Sequence, residues 1–89
     1  MKKRKKFFVA NFHFEVDEDA LTELFSKYGE VYDATVARDE EENESLGWGF
    51  VEMFDVEVED IIDRLNGKRW KGMHLRVSEY RPRKKNRSS

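Results

Sequence analysis

The sequence predicts an α+β sandwich: a four-stranded antiparallel sheet with two helices packed on one face, the elements running strand, helix, strand, strand, helix, strand. Three observations carry that prediction. Segments in which apolar and polar residues alternate at period two are interrupted by two segments whose apolar residues recur at i, i+3, i+4 and i+7. Two such βαβ halves in tandem, each crossing over right-handedly, place the first and third strands side by side in the centre, in the order 4-1-3-2. The parity of these central strands sends Phe7, Val9, Gly49, Val51 and Met53 toward the helices and leaves Phe8, Trp48 and Phe50 on the uncovered face.

The first strand is Phe7-Phe8-Val9-Ala10-Asn11-Phe12, preceded by the basic run Lys2-Lys3-Arg4-Lys5-Lys6. Helix one carries Leu21, Leu24, Phe25 and Tyr28 on one face, with Asp17 as its N-cap and Gly29 as its stop. Val31 to Arg38 alternates, with Ala34 and Val36 on one side and Thr35 and Ala37 on the other, which makes the second strand. An acidic loop from Asp39 to Ser45 leads into the third strand, Gly47 to Met53, where Gly47 and Gly49 are expected to make room for the approaching helices. Asp55 is expected to cap helix two, whose Val58, Ile61, Ile62 and Leu65 share a face and which ends at Asn66-Gly67. In the last strand Leu75 and Val77 alternate with Arg76 and Ser78 toward Tyr80. One domain is thus expected over 7–80, between basic tails at 1–6 and 81–89.

Charge is unevenly distributed along the 89 residues. Seven of the 17 basic residues and all 19 acidic ones lie between Phe7 and Tyr80, so that segment is formally −12 and each end +5. Like-charged ends repel and have nothing apolar to bury; they are expected to be solvated and to meet phosphates. The absence of cysteine excludes disulfides, thiolate metal sites and cysteine nucleophiles, and fits a reducing compartment. Lys2–Lys6 followed by Phe7–Ala10 has the order of a signal peptide, but Asn11, His13 and Glu15 cut the apolar run short, and no segment approaches the length of a membrane span. His13 and His74 have no second ligand at metal spacing, so neither metal nor cofactor is expected.

Rings displayed on an open sheet call for a flat partner, and nucleobases are the common one. Phe7–Phe12 and Leu46–Met53, separated by one helix and one strand, resemble the hexamer and octamer of the RNA recognition motif family, and Leu65-Asn66-Gly67 is similar to that family's ending of helix two. The resemblance spans Lys5 to Tyr80. It implies a ferredoxin-like βαββαβ sandwich in which Phe8 and Phe50 stack successive bases and Trp48 wedges against a sugar or a further base. Glu79-Tyr80-Arg81-Pro82-Arg83 is similar to the tail of small single-domain bacterial members, which implies a cytoplasmic protein; in a eukaryote the Lys-Arg runs would equally serve nuclear import. Two departures bear on RNA. Leu46 stands where the octamer usually opens with a phosphate-binding Lys or Arg, and Asp39, Glu40, Glu41, Glu42 and Glu44 replace loop residues that are basic in many relatives. Met53 replaces an aromatic residue but has core-facing parity.

The expected function is therefore single-stranded RNA binding by a monomer, with Phe8, Trp48 and Phe50 as stacking platforms. Thr35, Arg76, Ser78 and Tyr80 assist from the open face, and Lys5, Lys6, Arg81 and Arg83 from the tails. Stacking is worth about 1–3 kcal/mol per base, which with a few phosphate contacts suggests roughly micromolar affinity, and single-stranded DNA would stack on the same rings. The rival reading is a peptide-binding module: Glu15, Asp17, Glu18, Asp19 and Glu23 crowd helix one, and Lys68-Arg69-Trp70 loosely resembles the basic-x-aromatic turn of family members that capture a peptide carrying tryptophan and basic residues. An enzyme is disfavoured. Acylphosphatases share the element order, but Asn11-Phe12-His13-Phe14-Glu15-Val16 offers no phosphate cradle, and no nucleophile with a base can be named.

Overall fold

The computed structural model describes residues 2–81; Arg83 and its neighbours in the C-terminal basic run lie outside them. The elements are β1 (Arg4–Ala10), α1 (Glu18–Phe25), β2 (Glu30–Arg38), β3 (Ser45–Phe54), α2 (Val58–Leu65), β4 (Arg69–Trp70), β5 (Met73–His74) and β6 (Arg76–Glu79). β2, β3, β1 and β6 form one antiparallel sheet in that order, which is the predicted topology with β6 as its fourth strand.

Parity on β1 and β3 builds the core. Phe7, Val9, Val51 and Met53 are completely buried, and against them α1 sets Leu21, Leu24 and Phe25 while α2 sets Ile61 and Leu65. Phe12 and Val16, on the connection from β1 to α1, close one end of this layer, and Leu75 and Val77 close its β6 side. Full burial of a side chain of this size contributes about 1.5–3 kcal/mol, so this layer, more than helix propensity, holds two helices of only eight residues each.

Helix ends differ from expectation in instructive ways. Asp17 caps α1 as predicted, its Oδ1 accepting from the Ala20 N–H at 2.9 Å. The helix stops at Phe25, however, and tightens through Lys27 N–H to Leu24 O and Tyr28 N–H to Phe25 O, before Gly29 is reached. Gly29 is required for space: a Cβ there would lie 2.6 Å from Val56 Cγ1. Asp55 does not cap α2, whose N-cap is Glu57 without a side-chain bond. Instead Asp55 adopts φ 54° and closes onto the start of the chain, its Oδ1 accepting from Lys3 N–H at 2.9 Å and its N–H donating to Lys3 O at 2.8 Å. α2 ends at Asn66-Gly67 as expected, with Gly67 at φ +86°.

Two larger departures matter for the surface. The basic run expected as a solvated tail is strand from Arg4 onward, because β3 extends to Phe54 and pairs Arg4, Lys5 and Lys6 with Phe54, Met53 and Glu52. Between α2 and β6 a small hairpin, β4 with β5, pairs Arg69 with His74 and Trp70 with Met73 around Lys71 and Gly72, both at positive φ. Two residues per strand are too few for an alternation to register in the sequence.

Both edges of the sheet are stoppered by helix-end side chains. The outward N–H of Val36 on edge strand β2 donates to Glu18 Oε2 at 3.0 Å, and that of Val77 on edge strand β6 donates to Asn66 Oδ1 at 2.9 Å. Each bond satisfies an amide that would otherwise invite another strand.

Candidate nucleic-acid interface

Alternation brings one residue from each strand into a row across the uncovered face. Thr35 pairs with Phe50, Phe50 with Phe8, and Phe8 with Ser78. A second row runs from Trp48 through Ala10 to Arg76. Ala10, small in the middle of this row, lines an open hollow together with Phe8 and Trp48.

Phe8, Trp48 and Phe50 form a mutual triangle with all three centroid separations at 5.8 Å; Phe8 meets Trp48 tilted at 39°, and Trp48 meets Phe50 at 90°. Tyr80 adds a fourth ring, edge-on to Phe50 at 5.0 Å. Trp48 is 36% exposed and Tyr80 37%, whereas Phe8 and Phe50 are half-buried, since each shields the other. These spacings fall in the range favoured by aromatic pairs and hold the rings as one pre-formed surface. Beside it lies an open apolar hollow of about 460 Å³ lined by Phe8, Ala10, Leu46, Trp48 and Met73.

The glycines of β3 make this display possible, though not by clearing room for helices. A Cβ on Gly49 would stand 2.0 Å from the Thr35 carbonyl oxygen of β2, so the close neighbour is strand backbone. Gly47 takes φ +82° where β3 enters the sheet, and its carbonyl accepts from Phe12 N–H at 3.2 Å.

Cations border the rings. Lys6 Nζ lies 4.8 Å from the Phe50 centroid and 5.0 Å from that of Tyr80, within cation–π range of both. Arg76 and Ser78 stand exposed on β6, and Thr35 stands exposed on β2. Lys5 has the opposite parity to Lys6 and joins Lys3, Asp55, Val56 and Glu57 around a hollow on the helix side, away from the rings. Arg81 is exposed and paired with Glu79 at 3.0 Å. Arg83, the remaining expected hook, lies outside the described residues.

The features behind the rival reading lie elsewhere. Trp70 is half-buried in the β4–β5 hairpin and packs against the core, with Lys71 5.5 Å from its ring. On the acidic first turn of α1, Glu18 is engaged internally: Arg38 donates to its Oε1 at 2.8 Å while Val36 N–H occupies the other oxygen. Partial burial would raise the Glu18 pKa, but the bonds from Val36 and Arg38 outweigh it and hold the carboxyl below its ordinary value. His13 Nδ1 accepts from Glu15 N–H, and its ring stacks on Phe14 at 4.4 Å. Among the described residues no cluster of His, Asp and Glu suited to a metal ion forms, and no helix is long and apolar enough to cross a membrane.

The RNA recognition motif matches residues 7–76. The chain is 40% identical over 77 residues to RbpE of Nostoc sp. (strain PCC 7120), covering 85% of this chain and 78% of that one. It is 46% identical over 80 residues to the 31 kDa chloroplastic ribonucleoprotein of Nicotiana plumbaginifolia, covering 86% of this chain but 27% of that longer protein. Among solved structures, that of RNA Binding Protein PG1 superposes with a TM-score of 0.81 at 35% identity, over 91% of this chain and 99% of that one. With the βαββαβ sandwich, the strand order and the matched segment in agreement, the chain belongs to the RNA recognition motif family.

Proposed function

We propose that this protein is a non-catalytic, monomeric binder of single-stranded RNA that stacks bases on Phe8, Trp48 and Phe50. The observation that carries the reading is the ring triangle on the one sheet face no helix covers, continued by Tyr80 and bordered by Lys6. Every base has a π-face, so such a surface accepts a strand whose bases are already unpaired, while Thr35, Ser78 and Arg76 lie within the same rows to meet sugar, base edge or phosphate. Family membership and relatives named as an RNA binding protein and a ribonucleoprotein support the same partner. Lys6 and the basic residues at the two ends of the chain supply phosphate contacts.

The test is a titration of labelled homopolymers of each base, as RNA and as DNA, against the wild type and the Phe8→Ala/Phe50→Ala double variant. Two lost stacking partners should weaken binding by about 25-fold or more while the amide spectrum stays folded. Unchanged affinity in a folded double variant would falsify the assignment.

A further inference from the structure

A second group of rings and cations occupies the other end of the same open face. On β3, Phe54 follows Phe50 at the same parity, about 13 Å further along the strand. A register shift between Val31 and Asp33 sets Tyr32 of β2 beside it, 5.2 Å away and edge-on at 70°. Tyr32 is 51% exposed. Arg4 Cζ lies 4.4 Å from the Tyr32 centroid and Lys2 Nζ 4.9 Å from that of Phe54. Neither cation is neutralised in a buried pair: Lys2 bridges Glu30 at 2.8 Å with both side chains more than half exposed, and Arg4 reaches Glu52 only at 4.0 Å.

The arrangement has a direction. Arg4 and Lys6 on β1, with Lys2 just before the strand, follow one another at two-residue intervals, comparable to the phosphate spacing of an extended single strand. Apart from Tyr80, which meets Lys6 from the β6 side, the rings they touch lie to one side, Phe50 and Phe54 on β3 and Tyr32 on β2, together with the carboxylates Glu52, Asp33 and Glu30. A strand laid with its backbone along β1 and its bases over β3 and β2 keeps phosphates beside the cations and away from those carboxylates, which accept hydrogen bonds from base amino groups. We propose that Tyr32 and Phe54 form a second stacking patch, taking one or two further nucleotides of the strand already held on the ring triangle, with Arg4 and Lys2 exchanging their carboxylate partners for phosphate. This rests on the RNA-binding reading, and it follows from the continuity of the open face and from the spacing of these cations, which a purely structural aromatic pair would not need.

The experiment measures affinity against oligonucleotide length, from about four to about ten nucleotides, for the wild type, Tyr32→Ala and Arg4→Gln. The wild type should gain about five- to tenfold on the first lengthening that reaches the patch. Both variants should lose most of that gain while binding the shortest oligonucleotide as the wild type does. Arg4→Gln carries the test if Tyr32→Ala fails to fold. Full retention of the gain in a folded variant overturns the second patch and leaves the ring triangle intact. Failure of the wild type to bind any length overturns the RNA-binding reading itself.

Discussion

Gly49 of β3 shows how much of the ring surface depends on an atom that is absent. Gly49→Ala would drive a methyl group to 2.0 Å from the Thr35 carbonyl, on the neighbouring strand and with no flexible side chain to give way. We expect a loss of about 2–3 kcal/mol, seen as a fall in Tm, with weaker binding because Trp48 and Phe50 flank the distortion. Gly72 has φ +87° but open space around it, so Gly72→Ala should cost only the backbone strain of about 1 kcal/mol and leave binding unchanged. Comparable costs at the two positions, measured by thermal unfolding, would contradict the steric account. Phe8, Trp48 and Phe50 could be picked from the sequence because strand parity separates them from Phe7, Gly49 and Val51. Tyr32 and Phe54 could not: Tyr32 owes its place to a register shift in β2, and Phe54 falls one residue beyond the predicted end of β3.

The elements meet at hydrogen bonds that join helix ends to sheet edges, and here pH acts. The Glu18 carboxyl titrates below its ordinary value of 4.5, so the unfolded chain binds this proton at higher pH than the folded one. Its contribution to stability is therefore fully present above that value and is lost as the pH falls through the lower folded value. Glu18→Gln should remove this part of the acid destabilisation and lower stability near neutrality by about 1 kcal/mol, with Glu18 partly exposed and its pair with Arg38 screened accordingly. Chemical denaturation at several pH values checks it; an unaltered pH profile in Glu18→Gln would contradict the assignment. Asn66→Ala, which strips the Val77 amide of its acceptor, should cost about 1 kcal/mol at every pH. Both helices were legible from their apolar spacing and Asp17 from its capping chemistry. The role of Asp55 was not, since its partner Lys3 is 52 residues away.

Across the whole molecule the opposing influences are stacking and charge. The segment from Phe7 to Tyr80 is formally −12, and its most acidic stretch, Asp39 to Glu44, directly precedes β3. Neutralising Glu40, Glu41 and Glu42 to glutamine should raise RNA affinity several-fold at low salt and little at high salt, because exposed charges are screened beyond about 10 Å at 0.1 M. The salt slope itself, about −0.7 per phosphate neutralised on a single strand, should shrink when the basic residues at the chain ends are removed. The overall topology was legible because four alternating and two helical segments admit few right-handed arrangements; the extension of β1 into Arg4–Lys6 was not, because a run of lysine and arginine has no alternation to read. That extension places Lys6 beside Phe50 and Tyr80, turning part of an expected tail into part of the face. The most direct measurement is a chemical-shift titration of the labelled protein with a short unstructured RNA. The account predicts that the largest changes fall on Phe8, Trp48, Phe50 and their row neighbours Thr35 and Ser78, while α1, α2 and Trp70 stay still. Changes confined to the helices and the β4–β5 hairpin, with the ring triangle unmoved, would contradict it.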